Sequence, residues 1–203
     1  MARESGLLAG EGWWLVIALL AVSALAAAFS LPWLALPALV LLLVVLALFR
    51  DPPRQIPSSP LAVVSPVDGR VLSVEVDARS GGQPGTVIEI EVAAFGAWSI
   101  RAPVEGKVMG LRGLTEGPER GLWLQTDEQD DVVTELIGRS SPYWARPVAF
   151  VKTGERLGQG QRFGYRRWAR LARVHCHGKI SVQVRVGDRV HAGSDMLATL
   201  VHD

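Results

Sequence analysis

From Gly12 to Phe49 the chain carries no charged side chain; the gap runs between Glu11 and Arg50. Thirty-eight consecutive uncharged, largely apolar residues constrain the fold more than any other feature, because they need lipid or a core around them. The stretch holds two apolar runs, Trp13–Phe29 and Leu34–Phe49, parted by Ser30-Leu31-Pro32-Trp33. Pro32 breaks a helix, while Pro37, in the first turn of the second run, is tolerated. Each run makes roughly 25 Å of helix at ~1.5 Å per residue, against a ~30 Å hydrocarbon layer. The expectation is therefore a helical hairpin over residues 1–49 that spans, or nearly spans, a bilayer, with Trp13, Trp14 and Trp33 at its interfaces. One long tilted helix kinked at Pro32 is the alternative. A secretory signal is excluded by the length of the combined run and by the lack of a basic start with a clean cleavage site. A hairpin returns both ends to one side, and Arg3, Arg50 and Arg54 favour the cytoplasmic side of the cell (inner) membrane.

The remainder, residues 50–203, forms a second domain with 20 basic and 18 acidic groups. With 49% hydrophobic residues, 20% charged and a mean hydropathy of +0.24, the composition excludes a wholly soluble chain, a disordered one and a strongly basic nucleic-acid binder. A domain of this length can bury a substantial core. The single Cys176 excludes an internal disulfide and fits a reducing compartment.

After Phe49 the hydrophobic period changes to two. Thr86–Val92 places Ile88, Ile90 and Val92 on one face and Glu89 and Glu91 on the other. Lys179–Val186 alternates in the same way, with Ile180, Val182, Val184 and Val186 expected to face in. Further strands are predicted at Val71–Val76, Val104–Leu111, Leu122–Thr126, Asp131–Ile137, Val148–Val151 and Met196–Val201, and a helical turn or two at Tyr165–Val174. Pro66-Val67-Asp68-Gly69-Arg70-Val71 recurs 37 residues later as Pro103-Val104-Glu105-Gly106-Lys107-Val108, with a third relative at Val186-Gly187-Asp188-Arg189-Val190. Each is predicted to be strand, tight turn, strand, with the glycine at positive φ. The expected fold class is mainly β: a barrel-sandwich domain of the lipoyl- and biotinyl-like kind, preceded by the hydrophobic hairpin. On this reading alone Asp68 is equally well a turn residue.

Five collinear segments carry a resemblance. They are Phe49-Arg50-Asp51-Pro52-Pro53-Arg54; Val64-Ser65-Pro66-Val67-Asp68-Gly69-Arg70-Val71; Arg101-Ala102-Pro103-Val104-Glu105-Gly106-Lys107-Val108; Gly154-Glu155-Arg156 through Arg162-Phe163-Gly164; and Val186-Gly187-Asp188-Arg189-Val190 with Ala192-Gly193. In this order they resemble the phosphatidylserine decarboxylases, in their short microbial, membrane-anchored form. The resemblance implies a lyase that makes a pyruvoyl group from its own chain. A serine attacks the preceding Gly-Ser bond and then becomes the pyruvoyl cap, whose carbonyl accepts electrons as CO₂ leaves phosphatidylserine. An Asp and a His assist.

Carried over position by position, the Asp is Asp68. The His position holds Trp98, whose indole N–H only donates and cannot serve as a base. The Gly-Ser position holds Ala169-Arg170, and a guanidinium is neither a nucleophile nor a source of pyruvoyl. Two substitutes are considered. Gly193-Ser194 has the required chemistry but reads as a turn, and Cys176 lies between His175 and His177 in a strand-like stretch. His175-Cys176-His177 as a metal half-site lacks further ligands at suitable spacing, so no metal is expected.

Glu155–Arg173 contains six arginines and one glutamate. Arg166, Arg167, Arg170 and Arg173 are the candidates for meeting anionic lipid headgroups, each worth about 1 kcal/mol near such a surface. The alternative is a solvated face balanced by Asp127, Glu128, Asp130, Asp131 and Glu135. The expected protein is a non-self-processing, catalytically impaired relative of the decarboxylases that binds lipid or regulates, with no cofactor unless an alternative self-cleavage makes a pyruvoyl. An active decarboxylase with a relocated pyruvoyl-forming residue is the second reading. A lipoyl-like adaptor is the third, weakened by the absence of a lysine at a hairpin tip. Membrane phospholipids are the expected partners and nucleic acid is not; self-association and association with lipid-synthesis enzymes are left open.

Overall fold

A computed structural model describes residues 8–59, 61–80, 83–111, 121–138 and 146–201. The chain divides between Pro53 and Arg54 into two compact units.

The first unit holds two helices, α1 (Trp13–Ala28) and α2 (Pro32–Leu48). Pro32 stops the first and opens the second: it stands at the start of α2, where its missing amide is no loss. α2 thus begins earlier than the second apolar run, and Pro37 falls inside the helix rather than in its first turn. Ser30, at φ 54°, makes the reversal. Val16 of α1 packs with Leu42 and Val45 of α2, while Trp13, Trp14, Leu36 and Val40 are exposed. The ends of the pair are tied by the Ala9 amide donating to the Phe49 carbonyl at 2.9 Å. Among the described residues no helix is long and apolar enough to cross a membrane; α1 has 16 residues and α2 has 17. The expectation of a transmembrane helix is corrected on length: at ~1.5 Å per residue each stays short of a ~30 Å hydrocarbon layer.

The second unit is mainly β, as the alternating pattern requires. Its largest sheet has eight strands in the order β13 (Arg189–Val190), β2 (Gly69–Ser80), β3 (Gln83–Val92), β11 (Ala169–His177), β7 (Asp131–Gly138), β6 (Leu122–Gln125), β5 (Gly106–Leu111) and β9 (Arg156–Leu157). Two three-stranded sheets complete it. One orders β1 (Ala62–Val64), β14 (Met196–Leu200) and β12 (Ile180–Val182); the other orders β4 (Ser99–Arg101), β10 (Arg162–Tyr165) and β8 (Val148–Ala149). The pairings are antiparallel. One core joins the sheets, with Ile88, Ile90, Ile100, Leu124, Leu136 and Phe163 fully buried.

The repeat organises this unit. The Pro66 carbonyl accepts the Arg101 amide at 3.0 Å, and the Pro103 carbonyl accepts the Val64 amide at 2.8 Å. Val71 exchanges hydrogen bonds with the Gly187-Asp188 turn, just as Val108 does with the Gly154-Glu155 turn. The Gly193 amide donates to Ser65, and the Gly160 amide to Ala102. The two copies thus clasp one another, each closed by its own later turn.

Gly69 and Gly106 do not have the positive φ expected of them; among the three repeat glycines only Gly187 does, at 95°. Their reason is close approach. A Cβ on Gly69 would lie 2.2 Å from the Glu91 carbonyl oxygen, and one on Gly106 would lie 2.4 Å from that of Gln125. Two other expectations are corrected. Val186 is 65% exposed, because strand pairing ends at Val182. The expected helical turns at Tyr165–Val174 are instead the end of β10, a turn, and β11. In β11, Ala172, Val174 and Cys176 enter the core, while Arg173 and His175 find carboxylates on the opposite face.

Candidate functional site

Asp68 lies just before β2, in the first copy of the repeat, and is nearly buried. Its carboxylate is held by three donors. Oδ1 accepts the Ala192 amide at 2.8 Å, and Oδ2 accepts both the Ala97 amide and the Arg54 guanidinium at 2.7 Å. These donors come from three distant stretches, so Asp68 pins the entry to the β unit, the turn before β4 and the Ala192-Gly193 turn together. Its counterpart in the second copy, Glu105, is exposed and 3.6 Å from Arg156. The repeat thus yields one buried and one solvated carboxylate.

Arg166 is the second centre. It follows β10, is buried, and spends its guanidinium on carbonyls: Ala97 at 2.8 Å, Ala94 at 2.8 Å and Gly96 at 3.2 Å. It also lies over the Trp98 ring, 5.6 Å from the centroid. Burial pushes its pKa below the usual guanidinium range, while the charge of Asp68 pulls it back up. Trp98 is buried and meets Trp168 edge to face, with ring centroids 6.1 Å apart. Asp68, Trp98 and Arg166 therefore form one assembly around residues 94–98.

The other sequence candidates are dispersed. Arg170 is exposed at the start of β11. Arg173 bonds Glu89 at 2.6 Å across the sheet, and Glu89 also accepts from Ser73. Arg167 adopts φ 44° and donates to the Arg146 carbonyl at 3.3 Å. Arg156 pairs with Asp127 at 2.6 Å; that hydrogen bond holds the carboxylate below its usual range and lifts the guanidinium. His175 and His177 share a face of β11, with His175 Nε2 3.2 Å from Glu135 Oε2. Cys176 points the other way into the core, where burial pushes its thiol up to about 12. Among the described residues no three His, Cys, Asp or Glu side chains are placed to hold a metal ion. Ser194 is half-buried in the turn after Ala192.

Sequence reasoning did not find the buried role of Arg166 or the partnership of Arg54 with Asp68. Arg54 was visible as part of a motif, but nothing local links it to a residue fourteen positions on. Arg166 looked like one more member of a basic stretch.

The chain matches no family model. It is 32% identical over 208 residues to a phosphatidylserine decarboxylase proenzyme of Cupriavidus pinatubonensis, covering 96% of this chain and 95% of that protein. The chain belongs to the phosphatidylserine decarboxylase family. Proteins of the same name from Nitrosomonas europaea and Aromatoleum aromaticum are each also 32% identical, over 95% and 96% of this chain and 94% and 96% of theirs. Family membership fits the collinear motifs and places the chain in phospholipid metabolism. The pyruvoyl group implied by the family does not fit the residues at its expected place. The resemblance gives that place to the Ala169-Arg170 peptide, where the structure has a buried methyl group and an exposed guanidinium, with no hydroxyl between Arg166 and Arg173.

Proposed function

We propose that this chain is a membrane-associated member of the phosphatidylserine decarboxylase family that does not process itself and acts by binding phospholipid or regulating its synthesis. The observation that carries this reading is Arg170, an exposed guanidinium at the position the resemblance gives to the pyruvoyl-forming serine. Trp98 adds to it, because a buried indole pressed against Arg166 and Trp168 offers no proton acceptor where the assisting histidine belongs. Asp68 remains, but as a structural pin. The proposed fold is the barrel-sandwich, supported by the clasped copies of the repeat. The proposed anchor is the α1–α2 pair in the inner membrane, with the β unit on the cytoplasmic side; its support is the exposed apolar surface of two uncharged helices.

The test is the intact mass of the purified protein. One uncut chain of 21.9 kDa is the expected result. Two fragments, one with a carbonyl-reactive N-terminus, would overturn the reading. Gly193-Ser194 gives the second reading a place, because the neighbouring Ala192 amide sits on Asp68; cleavage there would release a fragment beginning at residue 194.

A further inference from the structure

Arg166 joins two turns that are far apart in sequence. One is Ala93–Gly96, closed by the Gly96 amide on the Ala93 carbonyl at 3.1 Å. The other is Arg166–Ala169, closed by the Ala169 amide on the Arg166 carbonyl at 3.0 Å. With Arg166 bonded to the Ala94 and Gly96 carbonyls and Trp98 packed on both Arg166 and Trp168, the two turns form one braced knob.

This knob carries two large aromatic side chains in solvent. Phe95 is 69% exposed and Trp168 is 51% exposed. Each is next to buried residues that hold its turn in place: Gly96, Ala97 and Trp98 follow Phe95, and Arg166 and Ala169 flank the turn that carries Trp168. A fold that buries Trp98 fully while holding Phe95 and Trp168 out through the same guanidinium presents them on a rigid support. Arg170 lies exposed two residues beyond Trp168, and from Gln161 to Arg173 there is no acidic residue.

We propose that Phe95 and Trp168, with Arg170, dock the β unit onto the surface of a bilayer that contains anionic phospholipid. The inference deepens the proposed membrane association and rests on it. Charge complementarity selects the occupant. Aromatic rings settle at the headgroup level of a bilayer, and arginine beside them meets phosphate. A rigid knob loses little conformational freedom on docking, so weak individual contacts add up. Arg166 and Arg173 take no part, since the first is buried on carbonyls and the second pairs with Glu89.

The experiment uses the full-length chain reconstituted with phosphatidylcholine vesicles, with or without phosphatidylglycerol. A cysteine placed by Ala94→Cys, exposed beside Phe95, carries an environment-sensitive dye. Cys176 stays unlabelled, being buried with its thiol pushed up to about 12. Val186→Cys, on an exposed turn, is the control position. In phosphatidylglycerol vesicles the dye at position 94 shifts to the blue and is quenched by brominated lipid, while the dye at position 186 stays aqueous. In the Ala94→Cys background Trp168→Ser abolishes the shift, and Arg170→Glu weakens docking about thirtyfold, as a change of two charge units near an anionic surface should. Both substituted side chains are exposed, and unchanged thermal midpoints confirm that the fold is kept. A dye that remains aqueous in both vesicle types overturns the docking proposal, as does an equal shift in neutral vesicles. Flotation with the vesicles is scored separately. Protein that floats without a shift refutes the docking face alone, whereas protein that does not float refutes membrane association as well.

Discussion

Asp68 accepts the Arg54 guanidinium and the Ala97 amide on the same carboxylate oxygen, each at 2.7 Å. A carboxylate that shares one oxygen between two donors and gives the other to Ala192 is committed to holding the chain together. Removing it leaves Arg54 without its counter-charge and two amides without an acceptor. Asp68→Ala is expected to cost about 3 kcal/mol, the usual penalty for breaking a nearly buried pair. Chemical denaturation of the detergent-solubilised protein measures it, and a loss below about 1 kcal/mol would contradict the structural role.

Gly96 tests the same junction by crowding. A Cβ there would stand 2.6 Å from the Asp68 Cβ. Gly96→Ala is expected to lower stability by about 1–3 kcal/mol, the range for overpacking. At Gly110 the nearest atom to a new Cβ is 3.7 Å away, so Gly110→Ala should leave the thermal midpoint nearly unchanged. Equal effects at the two sites would refute the account.

Cys176 carries a pH prediction. Desolvation is the main cause of its rise to about 12, with the Asp130 charge adding to it. In the unfolded chain the thiol ionises near its ordinary value of about 8.5. Between these values the unfolded state has released the proton that the folded state keeps. The contribution to stability is therefore fully present below about pH 8.5 and is lost as pH rises toward 12. Iodoacetamide at pH 8 should modify Cys176 only when denaturant is added; rapid alkylation of the folded protein would sink the prediction.

Restoring the Gly-Ser pair asks what else processing requires. Ala169→Gly with Arg170→Ser supplies the hydroxyl, yet its proton still needs an acceptor. Asp68 is occupied by three donors and Trp98 has no basic nitrogen. The double variant is expected to run as one uncut chain by mass spectrometry. Two fragments would show that the Ala169-Arg170 pair was all that blocked processing.

The strands that alternate cleanly were legible in the sequence. Ile88 and Ile90 are fully buried, with Glu89 and Glu91 on the other face of β3. β11 was legible only at its end: His175-Cys176-His177 read as strand-like, but the stretch up to Val174 read as helical turns, although the whole strand pairs with both β3 and β7 at the middle of the large sheet. Its outward positions carry Arg173 and His175, which resemble a solvated basic run until Glu89 and Glu135 arrive from neighbouring strands. The same limit hid the candidate site. Motif order located Asp68, but Arg166 is bonded to carbonyls roughly seventy residues earlier, and carbonyls leave no mark in a sequence. The repeat glycines were recognised while their reason was missed, because a partner strand's carbonyl cannot be seen from Gly69 alone.

The pairing of β1 with β14 sets Ala62 opposite Thr199, and β14 is the middle strand of its sheet. During synthesis the Val64 amide of β1 can meet the Pro103 carbonyl early, but the strand that pairs with β1 is made only when β14 emerges. The apolar helices emerge long before that moment. Closure of this edge is therefore a late event in folding, set by a contact between strands far apart in sequence.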